Sequence, residues 1–236
     1  MQDEVTKHTK KIYDTLKNPK HTWGEKVKET IIEILIIVFA VTLSIWLHGW
    51  SEHRHEQKEV KEFLRGLKDD LTKDIHLLNH NKKSITWLDS NYRFLLHVVN
   101  TQTAGAYEDS VINKHLQVNI PVTNPNIGRY DGFKSSGKIG AIENDSLKEN
   151  ILVFYQQTIP DLSYDENFVN SVQLKILDLL MDKTDKIGEK DLILTAKMRS
   201  LLGIAAHNFD NSIEQYEETI KQAKWIIGEI DKEARE

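Results

Sequence analysis

The 236-residue sequence lacks cysteine and is poor in proline and glycine, with 4 and 11 residues respectively. The missing cysteines exclude disulfide frameworks and thiolate zinc sites, and the low proline and glycine content excludes collagen and a wholly disordered chain. A basic excess is also lacking, because 31 Lys and Arg are outnumbered by 36 Asp and Glu, for a net charge of −5. Proteins that bind duplex nucleic acid normally carry such an excess, so we expect no nucleic-acid partner.

The sequence contains one long apolar run near its N-terminus and no second one. Between Ile34 and Trp50 no side chain carries a full charge when His48 is neutral. A helix of this length spans about 26 Å, near the lower limit for crossing the hydrocarbon core of a lipid bilayer. Trp46 and Trp50 lie at one end, as aromatic anchors do at a membrane interface. We therefore predict a transmembrane helix over residues 30–50.

Two other interpretations of the apolar run fit it less well. A buried helix of a soluble core usually has a polar stripe, and this run has none of comparable width. A cleaved signal peptide begins earlier, is shorter and is followed by a small-x-small cleavage pattern, which does not occur here.

The charges on either side of the predicted span do not decide its orientation, because each side carries five Lys or Arg within about twenty residues. The long C-terminal part would translocate largely regardless of its charge. The first 29 residues are net basic, with seven Lys against five acids. We therefore expect residues 1–29 to form a cytoplasmic arm and residues 51–236 to form an extracytoplasmic domain.

The stretch from Glu33 to Glu52 resembles the N-terminal anchor of a family of uncharacterised single-span proteins of Bacteroidetes-type bacteria. That anchor typically reads Gly-Glu-Ile, an apolar run, then Gln-Ile-Asn-Asn-Trp-Asn-Glu, and Glu33, Trp50 and Glu52 match it without a gap. Residues 133–139 resemble a second family stretch, Leu-x-Ser-Ser-Gly-Lys-Leu. The resemblance implies a bacterial inner-membrane protein with a helical extracytoplasmic domain, and it implies no activity. The sequence departs from the family anchor at Ala40, Ser44, Trp46, His48 and Gly49.

Apolar side chains at helical spacing predict a mostly α-helical fold, in which the transmembrane helix continues into a bundle of five or six helices. The first long helix is predicted to run from the span to about Lys83, and a second from Ile85 to Val99, before a break at residues 101–105. The final helix has a heptad seam about three repeats long, which favours packing against the first long helix, against a second copy, or both. Its members are Ile213, Tyr216, Ile220, Ala223, Ile227, Ile230 and Ala234.

Residues 117–140 form the one clear loop region, with two Pro and four Gly among Asn, Thr and Ser. Residues 118–122 could form a short strand within it. The loop is longer than usual connections, so we expect it to cover a surface or to contact a partner.

Further helices are predicted after the loop. The capping box Ser146-Leu-Lys-Glu149 predicts a helix start, and Pro160 predicts its end, followed by a turn. Apolar repeats predict two more helices, one from Phe168 to Leu179 and the other from Leu194 to Ala205.

Three patterns in the sequence could form chemical sites. Residues 132–138 fit the first seven positions of a phosphate-binding loop, but Ile139 replaces the Ser or Thr that would hold magnesium. We expect instead a tight turn in which Gly137 has a positive φ. His76 and His80 lie one helical turn apart, a spacing that can chelate zinc or copper, but no third ligand can be assigned. A further group just past the span contains His48, Glu52, His55 and Glu56, with His53 among them, and it could sense pH or bind metal. We expect instead that both histidine groups are solvated, with no metal or cofactor.

One face of the predicted span carries Glu33, Ile37, Ala40 and Ser44. Ala40 and Ser44 form a small-xxx-small pair that allows close helix approach, and Glu33 on the same face could bond to a neighbouring chain. One interpretation is self-association or docking onto another membrane or envelope protein. The alternative is a lone span whose acid reaches the headgroups.

No Ser-His-Asp or Cys-His set can be assembled, so we expect a non-enzymatic function. The leading prediction is an oligomeric, membrane-anchored interaction or scaffold protein. One alternative is an extracytoplasmic small-molecule sensing domain that works with a membrane partner. The other is a metal-dependent hydrolase that uses His76 and His80. The predicted contact residues of the loop are Arg129, Tyr130, Phe133, Lys134, Gly137 and Lys138.

Overall fold

The computed structural model describes residues 6–7, 9–11, 13–14, 23–183 and 187–235. All regular secondary structure in these residues is helical, which confirms the predicted mostly α-helical fold. The chain divides into two compact units, Met1–Glu59 and Val60–Glu236. The second unit begins at Val60. The predicted boundaries of the membrane span and of the extracytoplasmic domain stay predictions.

The longest element is helix α1, Trp23–Asn100, which supplies residues to both units. The predicted break near Lys83 is wrong, because α1 is continuous there. No Pro or Gly lies near this position, and Ile85 and Leu88 continue the buried stripe of the helix. The predicted end is confirmed: Gln102 adopts a left-handed φ of 58°, and the N–H of Thr103 donates to the Val98 carbonyl at 3.1 Å. These are the features of a Schellman motif, here with Gln in place of Gly.

Short elements follow α1. Residues 116–127 have no regular secondary structure, as the predicted loop requires, but the alternative strand over residues 118–122 does not form. The second half of the predicted loop contains helical turns. The elements are a 3₁₀ helix Ala104–Ala106, α2 Asp109–His115, α3 Gly128–Ser135 and a 3₁₀ helix Lys138–Ala141.

The next stretch is helical throughout: α4 Asp145–Val153, a π-helical turn Phe154–Thr158, and α5 Ile159–Met181. The cap of α4 is Asn144, whose side-chain oxygen accepts from the Leu147 N–H at 3.0 Å, so the predicted capping box at Ser146 is wrong. The predicted stop and turn at Pro160 are also wrong. Pro160 lies in the first turn of α5, and the wider π turn before it accommodates a residue that cannot donate to the preceding carbonyls.

Two helices complete the second unit: α6 Glu189–Leu194 and α7 Ala196–Glu233. Thr195 caps α7 by accepting from the Met198 N–H at 3.2 Å. The sequence predicts two helices, from Leu194 to Ala205 and from Ile213 to Ala234. In the structure nearly all of both lies in the single helix α7, because no Pro or other strong helix breaker separates them.

Helix α7 packs antiparallel to α1 within the chain, which is one of the two partners that its heptad seam allows. Three ion pairs show the register, because the residue number on α1 rises as that on α7 falls. The pairs are Lys68 with Asp231, Lys82 with Glu217 at 3.2 Å, and Arg93 with Asp210 at 2.7 Å.

Two buried apolar clusters hold the second unit together. The larger one joins the C-terminal part of α1 to α5, α6 and the first half of α7, with Leu88 and Phe209 fully buried. The other joins residues 60–71 of α1 to α3, α4, the π turn and the end of α7, with Leu67 and Ile226 fully buried. Burying one such leucine or phenylalanine contributes about 1.5–3 kcal/mol.

Candidate functional site

The apolar segment of α1, defined here as residues 31–50, exposes its side chains on nearly all sides. Its most apolar 18-residue window has a mean hydropathy of 2.5 and is only 6% buried. Phe39 and Ile45 are 68% and 69% exposed. Helix α1 is thus long and apolar enough to span a membrane. The core helix of a soluble protein would be mostly buried, so the low burial argues against that alternative.

Glu33 is the buried exception in the apolar segment, with 5% exposure. Its carboxylate pairs with the ammonium group of Lys11, which lies in the N-terminal part of the same unit. The buried carboxylate of Glu33 therefore has a counter-charge within its own chain. The sequence suggests two partners for the Glu33 carboxylate, a neighbouring chain or the lipid headgroups. The contact with Lys11 is a third.

The other residues predicted for helix packing lie on the surface of the apolar segment. The hydroxyl of Ser44 donates to the carbonyl of Ala40 at 2.8 Å, so its polar group is satisfied within the helix. Ala40 is exposed, and Ile37 and Ser44 are half-buried. Because both side chains are small, the surface at Ala40 and Ser44 leaves space for a neighbouring helix to approach closely.

The predicted interface anchors are exposed at the end of the apolar segment. Trp46 and Trp50 are 63% and 51% exposed. One turn later the guanidinium of Arg54 lies 4.8 Å from the centroid of the Trp50 ring, a cation–π contact. His55 lies 3.9 Å from the carboxylate of Glu59.

The predicted partner loop lies along α1 as a strap, a name used here for residues 116–135. The strap runs antiparallel to α1. The hydroxyl of Tyr92 contacts the Gln117 carbonyl at 2.7 Å. Nearer the start of α1, Asn81 donates to the hydroxyl of Thr123 at 3.0 Å. At the far end, Phe63 stacks on Phe133 with ring centroids 3.9 Å apart.

Two buried carboxylates hold the middle of the strap. Glu166 of α5 accepts from the backbone N–H of Thr123 at 2.8 Å and also from its hydroxyl. The phenol of Tyr216 donates to the same carboxylate. Burial and the contact with Glu166 raise the pKa of Tyr216, so it remains a donor.

Asp74 of α1 is the second of these carboxylates and is 2% exposed. It accepts from the backbone N–H of Asn126 at 3.2 Å and from its side-chain amide at 2.7 Å. Burial raises the pKa of Asp74 above its ordinary 3.8, although the two bonds from Asn126 oppose that shift. Side chains thus satisfy strap backbone groups that no sheet or helix pairs.

Three of the predicted contact residues of the loop have partners within the protein. Tyr130 is 3% exposed and stacks on Tyr155 with ring centroids 4.4 Å apart. Its hydroxyl accepts from the amide of Gln156 at 2.6 Å. Phe133 packs on the core, and the guanidinium of Arg129 donates to Asp70 at 2.8 Å. These residues attach the strap, and the sequence offered no signal for that role.

Gly66 explains how Arg129 reaches Asp70. A Cβ at Gly66 would lie 2.2 Å from the guanidinium carbon of Arg129. The glycine in the middle of α1 therefore makes room for the arginine, in a helix where glycine otherwise costs about 1 kcal/mol.

The remaining predicted contact residues flank a turn. Gly137 has a φ of 77°, as predicted for a tight turn. Lys134 is exposed, with its ammonium 5.7 Å from the Tyr130 ring centroid. Lys138 opens a 3₁₀ helix that is followed by the buried Ile142. A helical turn, not a buried strand, precedes the glycine, which agrees with the interpretation of this motif as a turn.

The two histidines predicted as a metal-binding alternative are exposed on α1. His76 and His80 both point to the surface. Across the part of the chain that the structure describes, no group of three His, Cys, Asp or Glu residues is placed to hold a metal ion.

Three buried polar atoms of the described residues have no hydrogen-bond partner: the Tyr155 hydroxyl, Asn170 Oδ1 and Gln173 Nε2. Asn170 and Gln173 lie one turn apart on α5 beneath the strap, where Asn170 donates to the Pro121 carbonyl at 2.8 Å. The gap beside them, lined by Pro121, Glu166, Val169 and their neighbours, has no room for a water molecule. It therefore gives no support to the small-molecule sensing alternative.

A family model matches residues 33–212 of the chain, and its description is a family of unknown function, DUF6090. The chain belongs to this family. No curated protein and no solved structure matches it. The DUF6090 region begins at Glu33, includes the whole strap and ends at Ser212 within α7. It covers both stretches on which the resemblance to an uncharacterised family rests, while the bacterial group and the anchor motif stay predictions.

Proposed function

We propose that this DUF6090 protein is a single-pass protein of the bacterial inner membrane whose helical bundle acts as a non-enzymatic interaction module. The observation that carries the proposal is the continuity of α1, which holds the exposed apolar segment and then supplies the central helix of the second unit. A binding module attached in this way would act at the membrane surface. A bilayer would cover the apolar side chains that the chain leaves exposed.

The proposed orientation places the N-terminus in the cytoplasm and the bundle outside. The short basic arm supports this orientation, because arginines and lysines are retained on the cytoplasmic side, whereas long domains translocate largely regardless of charge. The chain has no cysteine, so a single introduced cysteine is a unique label. We expect a membrane-impermeant maleimide to label Lys175→Cys and not Lys7→Cys on spheroplasts. Labelling of Lys7→Cys alone would reverse the orientation.

The proposed partner is a second copy of the chain or another membrane or envelope protein. The small-residue face of the apolar segment supports this choice, because Ala40 and Ser44 allow close approach and leave no polar group of theirs unsatisfied. Crosslinking in native membranes tests it with Ala40→Leu and Glu33→Leu. We expect Ala40→Leu to lower the yield of crosslinked species; an unchanged yield in both variants would remove the proposal.

The structure refines which strap residues could reach a partner. Lys134 is exposed, and Arg129 is half-exposed although paired, whereas Tyr130 is buried. Capture from crosslinked membranes with Lys134→Glu, compared with Lys175→Glu as a control of equal charge change, tests the strap as the contact. Equal capture by both variants would place the contact elsewhere.

A further inference from the structure

We propose that one face of α1, at the end of the apolar segment and in the two turns after it, binds the phosphate of anionic phospholipid headgroups. This inference deepens the proposed membrane anchoring and rests on it. The face consists of Trp46, Trp50, His53, Arg54 and Lys58, all within the first unit.

Between residues 46 and 59, acidic and basic side chains lie on different sides of α1. At about 100° per residue, the proposed face covers an arc of about 140°. The acidic residues between positions 46 and 59 occupy a narrow arc on the opposite side. They are Glu52, Glu56 and Glu59, and the contact between His55 and Glu59 lies with them. If the charges served solubility alone, acidic and basic side chains would be mixed on the same face of the helix.

Arg54 lies against the tryptophan that ends the apolar segment. Its guanidinium lies 4.8 Å from the Trp50 ring centroid, one turn beyond the apolar segment. Tryptophan at a membrane interface lies at the level of the headgroups. The contact therefore holds a guanidinium at the depth where phosphates lie, and its planar N–H groups match phosphate oxygens.

The side chains of this face are accessible to a lipid. Trp46 and Trp50 keep more than half of their surface exposed, and Arg54 and Lys58 are exposed as well. A ligand that fits this face offers an apolar region to the indoles and an anion to the guanidinium of Arg54. A phospholipid at the bilayer surface combines these two features.

The experiment is native mass spectrometry of the full chain in detergent, titrated with phosphatidylglycerol. We expect the parent to retain the lipid and Arg54→Gln with Lys58→Gln to bind it more weakly, by about fivefold for each cation removed. Glu52→Gln, on the opposite face, is expected to bind at least as tightly as the parent. Lys221→Gln, which removes one exposed cation from α7, is expected to match the parent.

Equal affinity in the parent and the double variant would overturn the inference, as would an equal loss in Lys221→Gln. Alkaline carbonate extraction of the same strains separates the two proposals. A chain that stays in the membrane but shows no effect of the double variant refutes only the headgroup site. A chain released by carbonate refutes the anchoring itself.

Discussion

The carboxylate of Glu166 receives two hydrogen bonds from Thr123, one from its backbone N–H at 2.8 Å and one from its hydroxyl. The two residues are 43 positions apart in the sequence. This contact, together with the one between Asp74 and Asn126, turns a segment without secondary structure into a fixed part of the bundle.

Replacement of Thr123 by valine is expected to destabilise the protein by about 1–3 kcal/mol, because it removes one hydrogen bond from the buried Glu166 carboxylate and takes away the acceptor of the buried Asn81 amide. In a chain of this size that loss lowers the melting temperature by a few degrees. Circular dichroism of the full chain in mild detergent measures it. Thr86→Val is the matched control, since the Thr86 hydroxyl bonds to its own helix on the surface. A loss of equal size in Thr86→Val would show that the strap contact contributes nothing specific.

Gly66→Ala is expected to stabilise the protein less than Gly228→Ala, although both glycines lie inside helices. A Cβ at Gly228 meets nothing within 4 Å, so the substitution should gain about 1 kcal/mol of helix propensity. At Gly66 the Cβ displaces Arg129 from Asp70. In an Arg129→Ala background, Gly66→Ala and Gly228→Ala should raise the stability by the same amount. A double-mutant cycle on melting temperature checks this, and additivity of Gly66→Ala and Arg129→Ala would contradict the contact.

Acidification below about pH 6.5 is expected to destabilise the protein through His115, the residue directly before the strap. Asn91 donates its amide to the Trp87 carbonyl, so its oxygen accepts from His115 Nδ1 at 2.7 Å. Burial, together with Lys114, lowers the pKa of His115 below its ordinary 6.5. The unfolded chain then binds more protons on this residue, so the stability is complete above pH 6.5 and is lost as the pH falls.

The measurement for His115 is the melting temperature between about pH 7 and pH 5. His115→Asn keeps a side-chain donor near the position of Nδ1 and should reduce the pH dependence. His207→Asn, which removes an exposed histidine from α7, is the control. An unchanged pH dependence in His115→Asn would exclude this histidine as its cause.

The sequence predicts well those features that depend on local periodicity. The helical class, the exposed apolar segment, the end of α1 near Asn100 and the positive φ of Gly137 follow from spacing or from single residue types. Each depends on neighbours within a few positions, which a single sequence displays directly.

The features that the sequence does not predict depend on distant partners or on competition between local signals. Asn144 caps α4 although Ser146 fits the capping box, because both residue types are good caps and only the structure chooses between them. Pro160 lies inside a continuous helical stretch because the π-helical turn before it accommodates a residue without a backbone N–H. The loop residues Tyr130 and Phe133 stack on aromatic partners in other elements, and no local pattern identifies those partners.

The most direct test of the whole account is the fractionation of the full chain after alkaline carbonate extraction of cell membranes. We predict that the parent stays in the pellet and is released only by detergent. Val38→Arg with Val41→Arg should move it toward the supernatant, because each charge in the hydrocarbon core costs about 2.5–3.5 kcal/mol. Val122→Arg, at an exposed valine of the strap, should stay in the pellet. A parent chain found in the supernatant without detergent would contradict the account.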